Sequence, residues 1–161
     1  MGTTWQQRVA AVWSTASEIT ATSLVGQIDE LVAERPASDA EAVFEAASAR
    51  DYASREAEAE PLYRRALSLG LDEPLLGRAT IQLASTLRNL GRPADGITVL
   101  QDGFAEYPDH PLGDAARAFL ALCLVDSGDE RAATAVALDA LSTHLPQYSR
   151  AVRAYAADLM Q

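Results

Sequence analysis

The sequence predicts an all-α chain of about nine helices. Three observations carry that expectation. No stretch alternates apolar and polar residues with β-branched enrichment, so strands are missing from the pattern. Alanine-rich segments repeat their apolar positions at helical spacing along the whole chain. Glycine or proline marks breaks between those segments at Pro36, Gly70, Gly91, Pro93, Pro111, Gly128 and Pro146.

The first helix is expected over about 4–17, where Thr4 and Gln7 have the spacing of a capping box and Val9, Val12, Trp13 and Ala16 form the apolar stripe. The second covers about 23–34, with Leu24, Ile28, Leu31 and Val32 on one face. Pro36 ends it, because a residue before proline is pushed out of helical geometry. The third starts at Ser38, with Glu41 three residues on as a second capping box, and runs to about Tyr52. The fourth covers about 55–69 and stops at Gly70.

Asp72 is expected to cap the fifth helix, which runs to Leu90 and ends at Gly91. Pro93 opens the sixth, since proline in the first turn gives up an N–H that has no partner anyway. The seventh follows Pro111 and ends near Gly128; Asp129 starts the eighth, which ends before Pro146. The last spans about 147–160, with Val152, Tyr155 and Leu159 as its buried side.

A repeat underlies these pairs. With Gly91 and Gly128 in register, Leu83 falls on Leu120, Ala84 on Ala121, Leu87 on Leu124, Gly96 on Ala133, Gly103 on Ala140 and Phe104 on Leu141. Ala46, Ala47, Ser54, Ala59, Tyr63, Ala66 and Leu67 make an earlier unit. Both steps, from Ser54 to Gly91 and from Gly91 to Gly128, are 37 residues.

With these positions the chain resembles the tetratricopeptide repeat family. The middle unit supplies Leu83, Ala84, Leu87, Gly91, Gly96, Leu100, Gly103 and Pro108, and the first supplies Tyr63, Ala66 and Leu67 within REAEAEPLYRRAL. Departures are Thr80 in place of a large residue, Ser54 in place of glycine, and no aromatics in the middle unit. The resemblance covers about residues 40–145, and bacterial members with an N-terminal helical extension are the most similar. It implies a right-handed helical-hairpin solenoid: an N-terminal extension over 1–37 packed on the repeats, three repeats over 38–145 and a capping helix over 146–161. Gly96 and Gly103 are then sites of close helix approach.

The resemblance also implies a groove, lined by the first helix of each unit, that takes a peptide or a partner's helix. Its inward stripe would be Phe44, Ser48, Asp51 and Tyr52, then Arg78, Ile81, Ser85, Arg88 and Asn89, then Ala115, Ala118, Leu122 and Val125. Arg78, Ser85 and Arg88 suit a carboxylate; Phe44, Tyr52 and Ile81 suit apolar anchors. The Lys/Asn carboxylate clamp of chaperone-tail binders is excluded, because the chain has no lysine and Ser48 and Ser85 stand where asparagine is expected. The apolar Leu122 and Val125 call for a cover: the last helix, the N-terminal helices, or a second copy in a homodimer.

Chemistry has little to work with. His110 reads as a capping or exposed residue, and His144 as a complement to a helix C-terminus. Two histidines without HxxxH or HExxH spacing make no metal site. Cys123, the sole cysteine, sits in an apolar stripe and reads as inert. Glu56 and Glu60 fit an exposed helix face. Trp5 and Trp13 read as core of the extension, or else as a partner-facing stripe. The net charge of -10 disfavours nucleic acid. No apolar run approaches a membrane span, and the first residues lack the pattern of a signal peptide, so a cytoplasmic location is expected. The expected protein is a non-enzymatic, cofactor-free interaction scaffold, with a self-associating structural protein as the alternative.

Overall fold

The computed structural model describes residues 2–107 and 109–161. Pro108, the proline closing the middle unit of the repeat pattern, lies outside the described residues. The described residues form α1 (Trp5–Ser14), α2 (Ala21–Val32), α3 (Ala40–Tyr52), α4 (Glu56–Leu69), α5 (Leu75–Asn89), α6 (Pro93–Phe104), α7 (Gly113–Asp126), α8 (Glu130–Ser142) and α9 (Ser149–Leu159), with no strand among them. Two compact units divide the chain, residues 1–82 and 83–161, and the division falls within α5.

The 37-residue register is written into the backbone. Ser54, Gly91 and Gly128 all have positive φ, at 54°, 74° and 83°. At each, the same two hydrogen bonds close the preceding helix. The N–H of Arg55 donates to the carbonyl of Arg50, that of Arg92 to Leu87, and that of Asp129 to Leu124, each at 2.9 Å. The N–H groups of Ser54, Gly91 and Gly128 donate to Asp51, Arg88 and Val125, again at 2.9 Å. This is the Schellman closure, which needs a left-handed residue at its centre. The next helix then starts at Glu56, Pro93 and Glu130, each two residues on.

Ser54 performs this turn at a cost that glycine does not carry, because its Cβ crowds the backbone in the left-handed region. Ser54→Gly is therefore expected to raise stability by about 1 kcal/mol, less what the freer unfolded chain takes back. Urea midpoints compared with the wild type check it; an unchanged or lower midpoint contradicts it.

Within residues 1–82, α1, α2 and α3 share one core built from Trp5, Val9, Val25, Ile28, Leu31, Ala42 and Ala49. The Trp5 indole N–H donates to the Leu31 carbonyl at 2.8 Å, which anchors the start of α1 on the last turn of α2. Arg50 grips Asp29 with two parallel hydrogen bonds, 2.8 and 3.0 Å, from α3 to α2. On its other side α3 packs against α4. There Phe44 and Tyr63, both fully buried, meet at 6.1 Å between ring centroids. The Tyr63 hydroxyl reaches Ser48 and Asp51. Burial, with Asp51 beside it, holds this phenol well above its ordinary value, so it stays a proton donor.

Residues 83–161 have a finer-grained core. Leu83, Ala84, Leu87 and Leu100 are buried, as are Ala116, Ala121 and Cys123 on α7 and the alanines at 133, 135, 140 and 156 on α8 and α9. Gly96 is where the small residue matters: a Cβ there would lie 2.9 Å from the Ala84 carbonyl oxygen and 3.0 Å from the Cys123 sulfur. α6 packs on α7, α7 on α8, and α8 on α9.

Several expectations are corrected. α1 stops at Ser14, not 17, and turns follow. Asp39 rather than Ser38 caps α3; its Oδ1 accepts from the Ala42 N–H at 3.0 Å while Arg35 holds the other oxygen at 2.7 Å. α5 starts at Leu75, after a cis peptide between Glu73 and Pro74, and it is the Glu73 carboxylate that accepts from the Gly77 N–H. Asp72 contributes its backbone carbonyl instead. Of the two glycines expected at close approaches, Gly96 is one, and Gly103 is exposed. On α9 the buried residue is Ala156, whereas Tyr155 stands in solvent.

Candidate functional site

The inward stripe expected from the sequence is treated differently by the two units. In residues 1–82, α3 is enclosed: every residue from Ala42 to Ala49 is buried. Packed by α2 and α4 and touched by α1, the helix keeps only the edge carrying Glu41, Glu45 and Ser48 open to a cleft. Phe44 is wholly buried, its ring covered by the Arg78 guanidinium at 5.4 Å. Ser48 is buried, and Ile81 on α5 is buried as well. Phe44 and Ile81 present almost no surface, which leaves the apolar-anchor role expected of them without an exposed contact, whereas Ser48 reaches the edge of a cleft. Tyr52 is half-exposed but engaged: its ring stands edge-on to Trp13 at 5.9 Å, and its hydroxyl donates to the Ala16 carbonyl. Asp51 accepts from Tyr63.

A cleft of about 440 Å³ remains beside this wall. α1 supplies Trp5, Val9 and Trp13, α3 supplies Glu41, Glu45 and Ser48, and α5 supplies Leu75, Arg78 and Gln82. Glu45 is the unexpected member, since only 9% of its surface is exposed. One of its oxygens accepts from the Trp13 indole N–H at 2.6 Å. The other has no hydrogen-bond partner among the described residues. Glu41 accepts from Gln6 at 3.0 Å. Arg78 forms no ion pair among the described residues. Sequence reasoning missed Glu45 because a glutamate inside AEAVFEAAS reads as the polar side of a helix; only enclosure of α3 makes it internal.

Burial pushes the Glu45 carboxyl above its ordinary value of 4.5; the Trp13 hydrogen bond and the Arg78 charge pull it back, and Glu41 adds to the rise. A carboxyl whose pKa is raised holds its proton to higher pH in the folded chain than in the unfolded one. Its contribution to stability is complete below the unfolded value and is lost as pH rises through the folded one. Glu45→Gln keeps an acceptor for Trp13 and never ionises. Its stability relative to the wild type is therefore expected to grow as pH is raised from about 4 to about 7. Urea unfolding across that range reads it, and a wild type that gains on the variant with rising pH contradicts it.

In residues 83–161 the stripe is open. Ala115, Ala118, Leu122 and Val125 on α7 are all exposed, Leu122 by 43% and Val125 by 48%. Their spacing of three or four places them on one helix face. Arg88 Nε meets Asp126 Oδ2 at 2.7 Å, which brings the end of α5 to the edge of that face. Ser85 is half-buried one turn earlier, and Asn89 is exposed. The grip expected from Arg78, Ser85 and Arg88 is thus divided: Arg78 lines the cleft of the first unit, and Arg88 is already paired in the second.

The remaining candidates take quiet places. His110 accepts the Leu112 N–H on its Nδ1 at 2.9 Å and stands edge-on to Phe104. His144 turns to Asp114 at 2.8 Å, so its partner is a carboxylate rather than helix carbonyls alone. Cys123 is buried, and burial raises its thiol pKa, which keeps it protonated. Among the described residues no cluster of metal-binding side chains forms, and no helix is long and apolar enough to cross a membrane.

Comparison with known proteins agrees with the repeat geometry. A family model described as Tetratrico peptide repeat matches residues 40–159, from the start of α3 to the end of α9. That range extends past residue 145 to take in α9, which the sequence pattern left as a flanking helix. No curated protein and no solved structure matches the chain. Three closures of identical form at 37-residue spacing and a family match over most of the length lead to one assignment: the chain belongs to the tetratricopeptide repeat family.

Proposed function

We propose that the chain is a non-catalytic scaffold that takes a peptide or helix of a partner protein on the α7 face of residues 83–161. Repeats of this family are generally protein-interaction modules, and fold alone does not say where or what they bind. The observation that supports this face is the exposed stripe of Ala115, Ala118, Leu122 and Val125. Small residues at one end and branched apolar residues at the other suit an apolar helix face laid along α7. The Arg88–Asp126 pair and Asn89 at its edge supply polar contacts for register. The corresponding helix in residues 1–82 has no such stripe, because its own neighbours enclose it.

The test is retention of partner proteins from lysate of the source organism on immobilised wild type and on Leu122→Asp/Val125→Asp. Both positions are exposed, so the variant is expected to keep its helical circular dichroism and melting temperature. Partners held by wild type and lost by the variant support the face. Equal retention by both removes it. Retention of the bait alone moves the reading to self-association through the same residues.

A further inference from the structure

The cleft in residues 1–82 has a composition that the scaffold reading does not use. Its Glu45 is nine-tenths buried, with one oxygen bound by Trp13 and the other turned to the cleft without a partner among the described residues. That oxygen is open to solvent from the cleft, so a ligand's donor can take the place of water there. Arg78 lines the same cleft with its guanidinium resting on Phe44 and forms no ion pair among the described residues. The same cleft is also lined by Trp5, Val9 and Trp13. Two opposite charges on one cleft with aromatic side chains in its lining, and no ion pair between them among the described residues, suit a ligand that carries both signs and an apolar body.

We propose that this cleft binds a small zwitterion, an α-amino acid with an aromatic side chain, with its ammonium on Glu45, its carboxylate on Arg78 and its ring against Trp5 and Trp13. An ammonium donates to the open Glu45 oxygen, and Glu41 adds a second negative charge nearby. A guanidinium presents paired N–H donors that match a carboxylate. The cleft volume of about 440 Å³ falls in the range of small-molecule sites. Every residue invoked lies in residues 1–82, so the proposal stands apart from the partner face on α7.

Calorimetry on the full chain tests it with three probes: L-phenylalanine, phenethylamine, which lacks the carboxylate, and 3-phenylpropionate, which lacks the ammonium. L-Phenylalanine is expected to bind saturably, and each half-ligand about tenfold more weakly or worse. Glu45→Gln is expected to weaken L-phenylalanine about tenfold and leave 3-phenylpropionate unchanged; Arg78→Gln weakens L-phenylalanine and leaves phenethylamine unchanged. Circular dichroism confirms that both variants are folded. No saturable heat from L-phenylalanine overturns the proposal. So does phenethylamine binding as tightly as L-phenylalanine, or affinity for L-phenylalanine that neither substitution alters. Leu122→Asp/Val125→Asp is expected to bind L-phenylalanine as the wild type does, which separates failure here from failure of the partner face.

Discussion

Tyr63→Ala is expected to lower stability by about 3–5 kcal/mol, a large part of what a domain of this size has. The side chain is completely buried between α4 and α3 and packs on Phe44, itself completely buried. Removing the ring leaves a cavity whose lining cannot collapse, because α3 is fixed on its other side by α2 and by the Arg50–Asp29 pair. Tyr63→Phe isolates the hydroxyl: it removes the donor to Asp51 and the contact with Ser48 but keeps the ring, and is expected to cost about 1 kcal/mol. Chemical denaturation of the three proteins reads both numbers. An alanine variant within about 1 kcal/mol of the wild type would mean that the α3–α4 contact is not packed as described.

The second large effect is expected at Gly96. By helix propensity alone, alanine there would stabilise by up to about 1 kcal/mol. The added Cβ, however, would sit 2.9 Å from a backbone oxygen, that of Ala84, and backbone cannot swing aside as a side chain can. Gly96→Ala is therefore expected to destabilise by a net of roughly 1–3 kcal/mol, as overpacking does. Combining it with Cys123→Ala removes the sulfur contact at 3.0 Å and leaves the carbonyl contact, so rescue should be partial. Thermal or urea melts of the single and double variants decide the sign. A more stable Gly96→Ala would show that α5 and α6 are free to part at this point.

Much of the helical order was legible because its causes are local. Pro93, Asp129 and the glycines at 91 and 128 set helix ends through single-residue conformational preferences, and the 37-residue register could be counted. Ser54 was placed at the glycine position of the turn by that register alone, and the backbone there is left-handed as at Gly91 and Gly128. The near misses are local too. Ser38 and Asp39 are both good caps, and the choice went to the residue that Arg35 also holds.

The site was less legible, for a different reason. A stripe at helical spacing says which residues share a face, not whether that face meets solvent. Phe44 and Leu122 both sit on the first helix of a unit, yet one is buried and the other exposed. What separates them is the packing of α1 and α2 beside α3, a contact between segments far apart in sequence. Glu45 was invisible for the same reason. Tyr155 shows the converse: a helical stripe predicted burial on α9, and its ring stands in solvent.

The central claim is that a partner segment lies along α7. A photo-crosslinking residue at position 122, with a second chain carrying it at the exposed Arg64 of α4 as the control, tests that contact directly. After irradiation with retained partners, mass spectrometry locates the adducts. The account predicts that position 122 crosslinks to one continuous segment of a different protein, and that position 64 gives none with it. Adducts at position 64 alone, or the same adducts at both positions, would contradict it.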